Sequence, residues 1–228
     1  QRVLITSAGA GYDLPYLAKM VGESGTIYAQ DYASEMLMAA VDRSKELFNL
    51  NNYNIKFSIS DATNLPFPDD YFDAVYHFGG LNLFANIGVG VSEMDRVAKD
   101  GGRVVFGDEG LAPWLLKTDY GEMLANNNPL YRCEIPLKFI PESAREVNLS
   151  WVINNCFYLI DYVVSKKPLF IDIDLKHVGR RGGSIRSRYF GKLEGIDPEL
   201  KKRLYKEAEN KGMSRVDLLE ELIKNGLN

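Results

Sequence analysis

Apolar positions in the first half of the chain alternate between two spacings. Arg2–Thr6 is a short β-rich run, and from Asp13 to Val21 the apolar residues recur at helical spacing. Asp13 is placed to cap that helix, with Pro15 tolerated in its first turn, where N–H groups lack intrahelical partners. Thr26–Gln30 reads as a second strand. Ser34–Phe48 reads as a helix whose Leu37, Ala40, Val41, Leu47 and Phe48 share a face. Ile55, Phe57 and Ile59 alternate with polar neighbours at the period of a strand, and Phe72–Phe78 is a fourth strand. Val91, Met94, Val97 and Ala98 mark a further helix, ended by Gly101-Gly102, before a fifth strand over Arg103–Gly107. Strands and helices in this alternation imply parallel strands joined by right-handed crossovers, hence an α/β, doubly wound sheet.

The pattern changes after about Trp114. Pro113–Leu124 reads as a helix and Asn126-Asn127-Asn128-Pro129 as a turn. Val147–Ile153 and Phe157–Val164 are strand-like runs around Asn154-Asn155, which predicts an antiparallel hairpin. From Lys166 onward the chain is rich in loop residues, including Gly179-Arg180-Arg181-Gly182-Gly183, and two helices close it. Asp197-Pro198 opens the first, and Ser214-x-x-Asp217 resembles a capping box for the second, with Asp in place of Glu or Gln. The organisation expected is a domain over residues 1–165 followed by a loop and helical extension over 166–228.

Composition narrows the function classes. The 228 residues are 46% hydrophobic and 25% charged with a net charge of −4, an ordinary globular balance that lacks the basic surface of a nucleic-acid binder. No apolar run is long enough to span a membrane, and no charged-then-apolar signal segment opens the sequence. The two cysteines, Cys133 and Cys156, have no paired spacing, so a zinc site or disulfide framework is not expected and a reducing cytoplasm is. Both read as packing residues. The sequence opens at Gln1 and enters a strand at once, where a complete protein would begin with Met, so preceding residues are expected.

The candidate chemistry sits where strands end. Ser7-Ala8-Gly9-Ala10-Gly11 joins the first strand to a helix, and such a turn lets a ligand approach the backbone. As a dinucleotide fingerprint it would need a third glycine where Leu14 stands, which counts against NAD. Asp31, at the end of the second strand, falls beside that turn and can accept hydrogen bonds from both hydroxyls of an adenosine ribose. Asp61, after the third strand, can receive an adenine amino group or simply start a turn. His77, Asp108 and Glu109 end the fourth and fifth strands and are the candidates for acid–base work. Asp108 and Glu109 read equally well as loop-starting residues bonded to backbone.

Four segments then occur in order: Gly9-Ala10-Gly11; Ala29-Gln30-Asp31-Tyr32-Ala33-Ser34-Glu35-Met36-Leu37; Asp61-Ala62-Thr63-Asn64-Leu65-Pro66-Phe67-Pro68-Asp69-Asp70-Tyr71-Phe72-Asp73-Ala74-Val75; and Glu93-x-x-Arg96-Val97-x-Lys99-x-Gly101-Gly102. Together they resemble class I S-adenosylmethionine (SAM)-dependent methyltransferases, especially the branch of the ubiquinone/menaquinone-biosynthesis enzymes. The resemblance covers about residues 2 to 109. It implies a Rossmann-like doubly wound, mostly parallel sheet, here with an antiparallel C-terminal hairpin and a helical C-terminal extension. It further implies that Ser7, Ala8, Gly9 and Gly11 hold the methionine end of SAM, Asp31 the ribose, and Asp61 and Ala62 the adenine. Tyr32 and Met36 join the cofactor-binding set, and His77 and Phe78 border the transferred methyl. Two positions depart from the family pattern: Ile5 stands where an acidic residue is usual on the first strand, and Ser7 stands where a glycine opens the loop.

The expected function is therefore SAM-dependent methylation of a small organic molecule. Non-methylating chemistry on the same fold, such as cyclisation, and a binding protein without turnover are the alternatives that Ile5 and Ser7 keep open. Arg180, Arg181, Arg186, Arg188 and Lys192, interleaved with Tyr189 and Phe190, suit either a lid over an anionic acceptor or a solvated basic loop. The Asn126–Tyr131 turn is a second candidate rim. The closing helices fit a homodimer face or a cover for the sheet.

Overall fold

A computed structural model describes residues 1–178, 183–189 and 196–227. The chain divides into two compact units, Gln1–Pro168 and Leu169–Asn228. In the first unit, seven strands form one sheet: β1 (Arg2–Thr6), β2 (Thr26–Asp31), β3 (Asn54–Ile59), β4 (Phe72–Phe78), β5 (Ala98–Glu109), β6 (Ala144–Val152) and β7 (Phe157–Val164). Their spatial order is β3-β2-β1-β4-β5-β7-β6. The first five run parallel, whereas β7 lies antiparallel between β5 and β6. Strand order reverses between β1 and β4, and ligands of open α/β sheets bind beyond the strand C-termini at such a switch.

Helices cover the two faces. On one, α3 (Ile87–Val97) sets Val91, Met94 and Val97 against Leu4, Val75, Val104, Phe106 and Ile160. On the other, α1 (Leu14–Val21) and α2 (Ser34–Glu46) set Leu14, Ala18 and Ala40 against Ile5, Ile27 and Ala29. An eight-residue helix such as α1 is too short to persist alone in water. Fully buried Leu14 supplies part of what holds it, about 2 kcal/mol for a side chain of that size.

The structure corrects several boundaries. The helix before β5 ends at Val97, and Ala98 is already extended (φ −80°, ψ 140°), paired with Phe72. Gly101-Gly102 thus lies inside β5 and is not a helix stop. Gly101 takes φ 77°, and a Cβ on Gly102 would stand 2.9 Å from the Lys99 carbonyl oxygen, so the pair accommodates a register shift against β4. Pro113–Leu124 is not one helix. Pro113–Leu115 is a single 3-10 turn, and α4 (Asp119–Asn127) starts at Thr118, whose Oγ1 accepts the Gly121 N–H at 3.1 Å. Asp13 makes no side-chain cap on α1; its carboxylate accepts the Tyr76 hydroxyl at 3.2 Å. The β6–β7 hairpin forms as expected, but Ile153 belongs to its turn, where Ile153, Asn154 and Asn155 all take left-handed φ.

The second unit contains α5 (Ile185–Tyr189), α6 (Pro198–Asn210) and α7 (Arg215–Leu227). Asp197 caps α6 through the N–H groups of Glu199 and Leu200 at 2.9 and 3.0 Å. At α7, Ser214 Oγ accepts the Asp217 N–H at 3.1 Å, but Asp217 takes the Ser214 hydroxyl at 2.6 Å. The capping box is thus half made. The packed α6–α7 pair buries Ala208 and Leu218.

Candidate functional site

The turn after β1 is held from three sides. Ser7 has left-handed φ 52° and donates its N–H to Gln30 Oε1 at 3.3 Å, while the Ala8 N–H reaches the Gln30 carbonyl at 2.8 Å. The Gly9 N–H donates to Asp31 Oδ2 at 2.7 Å. From α2, Arg43 donates to the Ala10 carbonyl at 2.5 Å and stacks over the Tyr12 ring at 4.2 Å. Gly11 takes φ 76°, and a Cβ there would stand 2.8 Å from Leu14 Cδ1 and 3.0 Å from Ala40 Cβ. Gly9 also has positive φ, but nothing lies within 4 Å of its Cβ position, which leaves the backbone open to a ligand.

Asp31 is nearly buried, at 9% exposure. Its Oδ1 accepts the Ala33 N–H at 2.8 Å, so each carboxylate oxygen already holds one backbone donor. Each keeps a second lone pair for a ligand hydroxyl. Tyr32 and Met36, beside it, are exposed by 78% and 51%. Asp61 is exposed and accepts the Thr63 N–H at 2.8 Å and the Thr63 hydroxyl at 2.7 Å, which hold its carboxyl below the usual range. Ala62 is buried. Gln30, fully buried, spans the gap between two of these loops: its Oε1 receives Ser7 and its Nε2 donates to the Ser60 carbonyl.

The Leu65–Asp69 segment is tied down by α3. Glu93 accepts the Leu65 N–H at 2.7 Å. Arg96 bonds Glu93 and donates to the Leu65 and Phe67 carbonyls at 3.1 and 2.8 Å and to Asp69 at 2.7 Å. The Glu-x-x-Arg motif read from sequence is therefore a clamp on the Leu-Pro-Phe-Pro-Asp motif.

At the ends of β4 and β5, neighbouring residues part to opposite faces. His77 has no exposed surface; its Nδ1 shares a 2.9 Å hydrogen bond with Thr6 Oγ1, and Phe84 meets it edge-on at 5.3 Å. Burial pushes its pKa down to about 4, so the ring is neutral. It is a core residue of the α3 side, which corrects the expectation that it lines the cleft. Phe78 is partly exposed and stacks on Phe157 at 5.6 Å, whose other neighbour is Tyr131, edge-on at 5.9 Å. Gly79 and Gly80 follow with φ 79° and 89°, and both Cβ positions face open space.

Asp108 is fully buried and accepts the N–H groups of Asn82 at 2.6 Å and Glu109 at 2.8 Å. Burial first, and the Glu109 carboxyl second, push its pKa up to about 7. The Asn82 side chain donates to the Glu109 carbonyl at 2.8 Å, so Asp108 and Asn82 together pin the Gly79–Phe84 turn to the end of β5. Glu109 is partly exposed, and its carboxylate has the Asn128 amide at 3.4 Å. The two carboxylates therefore differ: Asp108 is occupied with backbone, and Glu109 is available.

Along the sheet's C-terminal edge the structure brings together the Ser7–Gly11 turn, Asp31, Phe78 and Glu109, and it removes His77. Gln30, Asn82 and Arg43 were not among the expected site residues. The signal available for Gln30 was a polar side chain inside an otherwise apolar strand end. Gly179, Arg180, Arg181, Gly182, Phe190 and Lys192 of the basic segment lie outside the described residues, while Arg186 pairs with Asp174 at 2.7 Å. Among the described residues no cluster could hold a metal ion, and no helix is long and apolar enough to cross a membrane. Both cysteines are free thiols.

Comparison with known proteins agrees with this geometry. The family described as "Methyltransferase domain" matches residues 4–106, just under half of the chain. The ubiquinone/menaquinone biosynthesis C-methyltransferase UbiE of Chromobacterium violaceum is 36% identical over 103 residues, 45% of this chain and 41% of that protein. The 2-phytyl-1,4-naphtoquinone methyltransferase of Synechococcus elongatus is 37% identical over 108 residues, 47% of this chain and 45% of that protein. The chain thus spans less than half the length of these relatives. A SAM-dependent methyltransferase from Aquifex aeolicus shares the fold, with a TM-score of 0.50 at 22% identity over 72% of this chain and 81% of that one. Residues 4–106 therefore match the methyltransferase-domain family, and this stretch is similar in sequence to ubiquinone/menaquinone-biosynthesis methyltransferases.

Proposed function

We propose that the protein binds SAM along the C-terminal edge of β1, β2 and β4 and methylates a small organic acceptor. The observation that carries this reading is the Asp31 carboxylate bonded to the Gly9 N–H at 2.7 Å, which joins a ribose acceptor to a turn with an open backbone. The residues fit the cofactor in other respects. Asp31 keeps a lone pair on each oxygen for the ribose hydroxyls, and Asp61 keeps acceptor capacity for the adenine amino group. The open Cβ positions of Gly9, Gly79 and Gly80 leave room for close backbone approach. Ile5 is 3% exposed in the core, so β1 offers no carboxylate to the cofactor's ammonium group, and backbone carbonyls of the turn take that part.

When bound, SAM supplies a methyl group on a sulfonium, a leaving group already activated. The chain's own residues then have two tasks. Asp108 and Asn82 hold the Gly79–Phe84 turn in place, so that the reacting atoms meet in line. Glu109 receives a hydrogen bond, or the proton itself, from the acceptor's polar group. A cytoplasmic setting suits the two free thiols.

Calorimetry with S-adenosylhomocysteine (SAH) tests the reading. One molecule should bind per chain, and Asp31→Ala should weaken it by tenfold or more. No binding at millimolar ligand would end the proposal. Transfer of an isotopically labelled methyl from SAM to a component of a metabolite extract is the activity expected.

A further inference from the structure

The acceptor side of this site has a chemistry of its own, and the inference drawn from it rests on the reading that acceptors dock beside Glu109. Antiparallel register sets Glu109 opposite Phe157, so the carboxylate and the ring share one face of the sheet. Phe78 reaches the same ring from β4 because Gly107 leaves the space between: a Cβ there would stand 3.0 Å from Phe78 Cδ2. Tyr131 closes the row from the segment after α4, fixed by its carbonyl accepting the Leu111 N–H at 3.0 Å. Three aromatic rings thus stand in series next to a carboxylate.

The charge beside them is negative. Among the described residues the Asp108 and Glu109 carboxyls interact with each other, and the other donors that reach them are the N–H groups of Asn82 and Glu109 and the Asn128 amide, all of them neutral. The Asp108 carboxyl and an amide at 3.4 Å together leave lone pairs of Glu109 free for a ligand. Tyr158, the register partner of Asp108, is fully buried, and its hydroxyl makes no hydrogen bond among the described residues. It lies with Asp108 on the α3 side of the sheet, opposite the face that carries Glu109 and Phe157, and is no part of the acceptor wall.

We propose that this site recognises an acceptor carrying a protonated amine on an apolar or aromatic body, with Glu109 facing the ammonium and the Phe78–Phe157–Tyr131 row packing the body. Aromatic faces attract a cation through their quadrupole, and a partly desolvated carboxylate adds charge and hydrogen-bond acceptance. A carboxylate or phosphate on the acceptor would meet Glu109 as a like charge. The anionic acceptor suggested by the arginine-bearing segment is replaced by its opposite.

Three ligands of nearly equal shape separate the possibilities: benzylamine, benzyl alcohol and benzoate, titrated by calorimetry at pH 7.5 into protein saturated with SAH. Benzylamine should bind at least tenfold more tightly than the other two. Glu109→Gln should erase that preference by weakening benzylamine far more than benzyl alcohol, and Phe157→Leu should weaken benzylamine and benzyl alcohol together. Benzoate binding as tightly as benzylamine, a preference that survives Glu109→Gln, or no binding of any of the three would overturn the proposal. The SAH titration run first keeps the two readings apart: its failure ends the methyltransferase reading, whereas the order of the three ligands, measured also without SAH, judges the amine site alone.

Discussion

Acidification from pH 7.5 to 5 should cost the fold about 2 kcal/mol through His77 alone. The ring is fully buried, and burial lowers its pKa from 6.5 to about 4. Because the folded value is the depressed one, the unfolded chain takes up the proton first. Stability is therefore complete above pH 6.5 and is lost as pH falls toward 4. With these two values, RT ln[(1 + 10^(6.5 − pH))/(1 + 10^(4 − pH))] gives about 2 kcal/mol at pH 5 and levels off near 3 kcal/mol below pH 4. Asp108 slopes the other way. Its folded pKa is raised from 3.8 to about 7, so what it contributes is present below 3.8 and lost as pH rises through 7. The windows overlap, and the wild-type curve alone would hide both. Urea unfolding of wild type and His77→Gln at pH 5, 6 and 7.5 separates them, since Asp108 is common to both proteins. The stability gap between the two should shrink by about 2 kcal/mol between pH 7.5 and 5. A gap constant to within about 0.5 kcal/mol would refute the reasoning. Should the variant fail to fold, the imidazole carbon-bound proton shifts of the native protein give the same answer: the His77 signals should not titrate above pH 5.

Three further outcomes follow from the geometry. Ser7→Gly relieves a left-handed φ of 52°, so it should stabilise the fold by about 1 kcal/mol and raise the melting temperature by about 2–4 °C. Gly11→Ala meets both a positive φ and contacts of 2.8 and 3.0 Å, and should cost about 2 kcal/mol or more in denaturant unfolding. Arg96→Ala removes the donors to Leu65, Phe67 and Asp69 and frees Glu93; it should cost about 2 kcal/mol and speed hydrogen exchange at the Leu65 amide by tenfold or more.

The parallel half of the fold was legible because strand and helix periods alternate cleanly from Arg2 to Gly107. Its errors came where one local signal has two meanings. Gly101-Gly102 looks the same whether it stops a helix or bulges a strand, and only the pairing of Ala98 with Phe72 decides. Pro113 marks a helix start in isolation, yet Thr118 offers the hydroxyl that caps one. His77 reads as a cleft residue from its place at a strand end, but the face it occupies decides otherwise. Strand residues alternate sides, so His77 follows Val75 toward α3 and Phe78 goes the other way. The same parity divides Asp108 from Glu109, which the sequence presents as an equivalent pair. Partners remote in sequence, such as Asn82 with Asp108 across 26 positions, leave no local trace.

The buried Gln30 amide has an effect beyond its two hydrogen bonds. By taking the Ser7 N–H at one end and the Ser60 carbonyl at the other, it fixes the spacing between the loops after β1 and β3 before any ligand arrives. Those loops need not be ordered at the moment of binding, so the conformational entropy cost of forming the pocket is charged to folding instead. Affinity for the cofactor is in this sense partly stored in the folded chain. Gln30→Ala would spend it as a slower, looser encounter even though residue 30 need never touch the ligand.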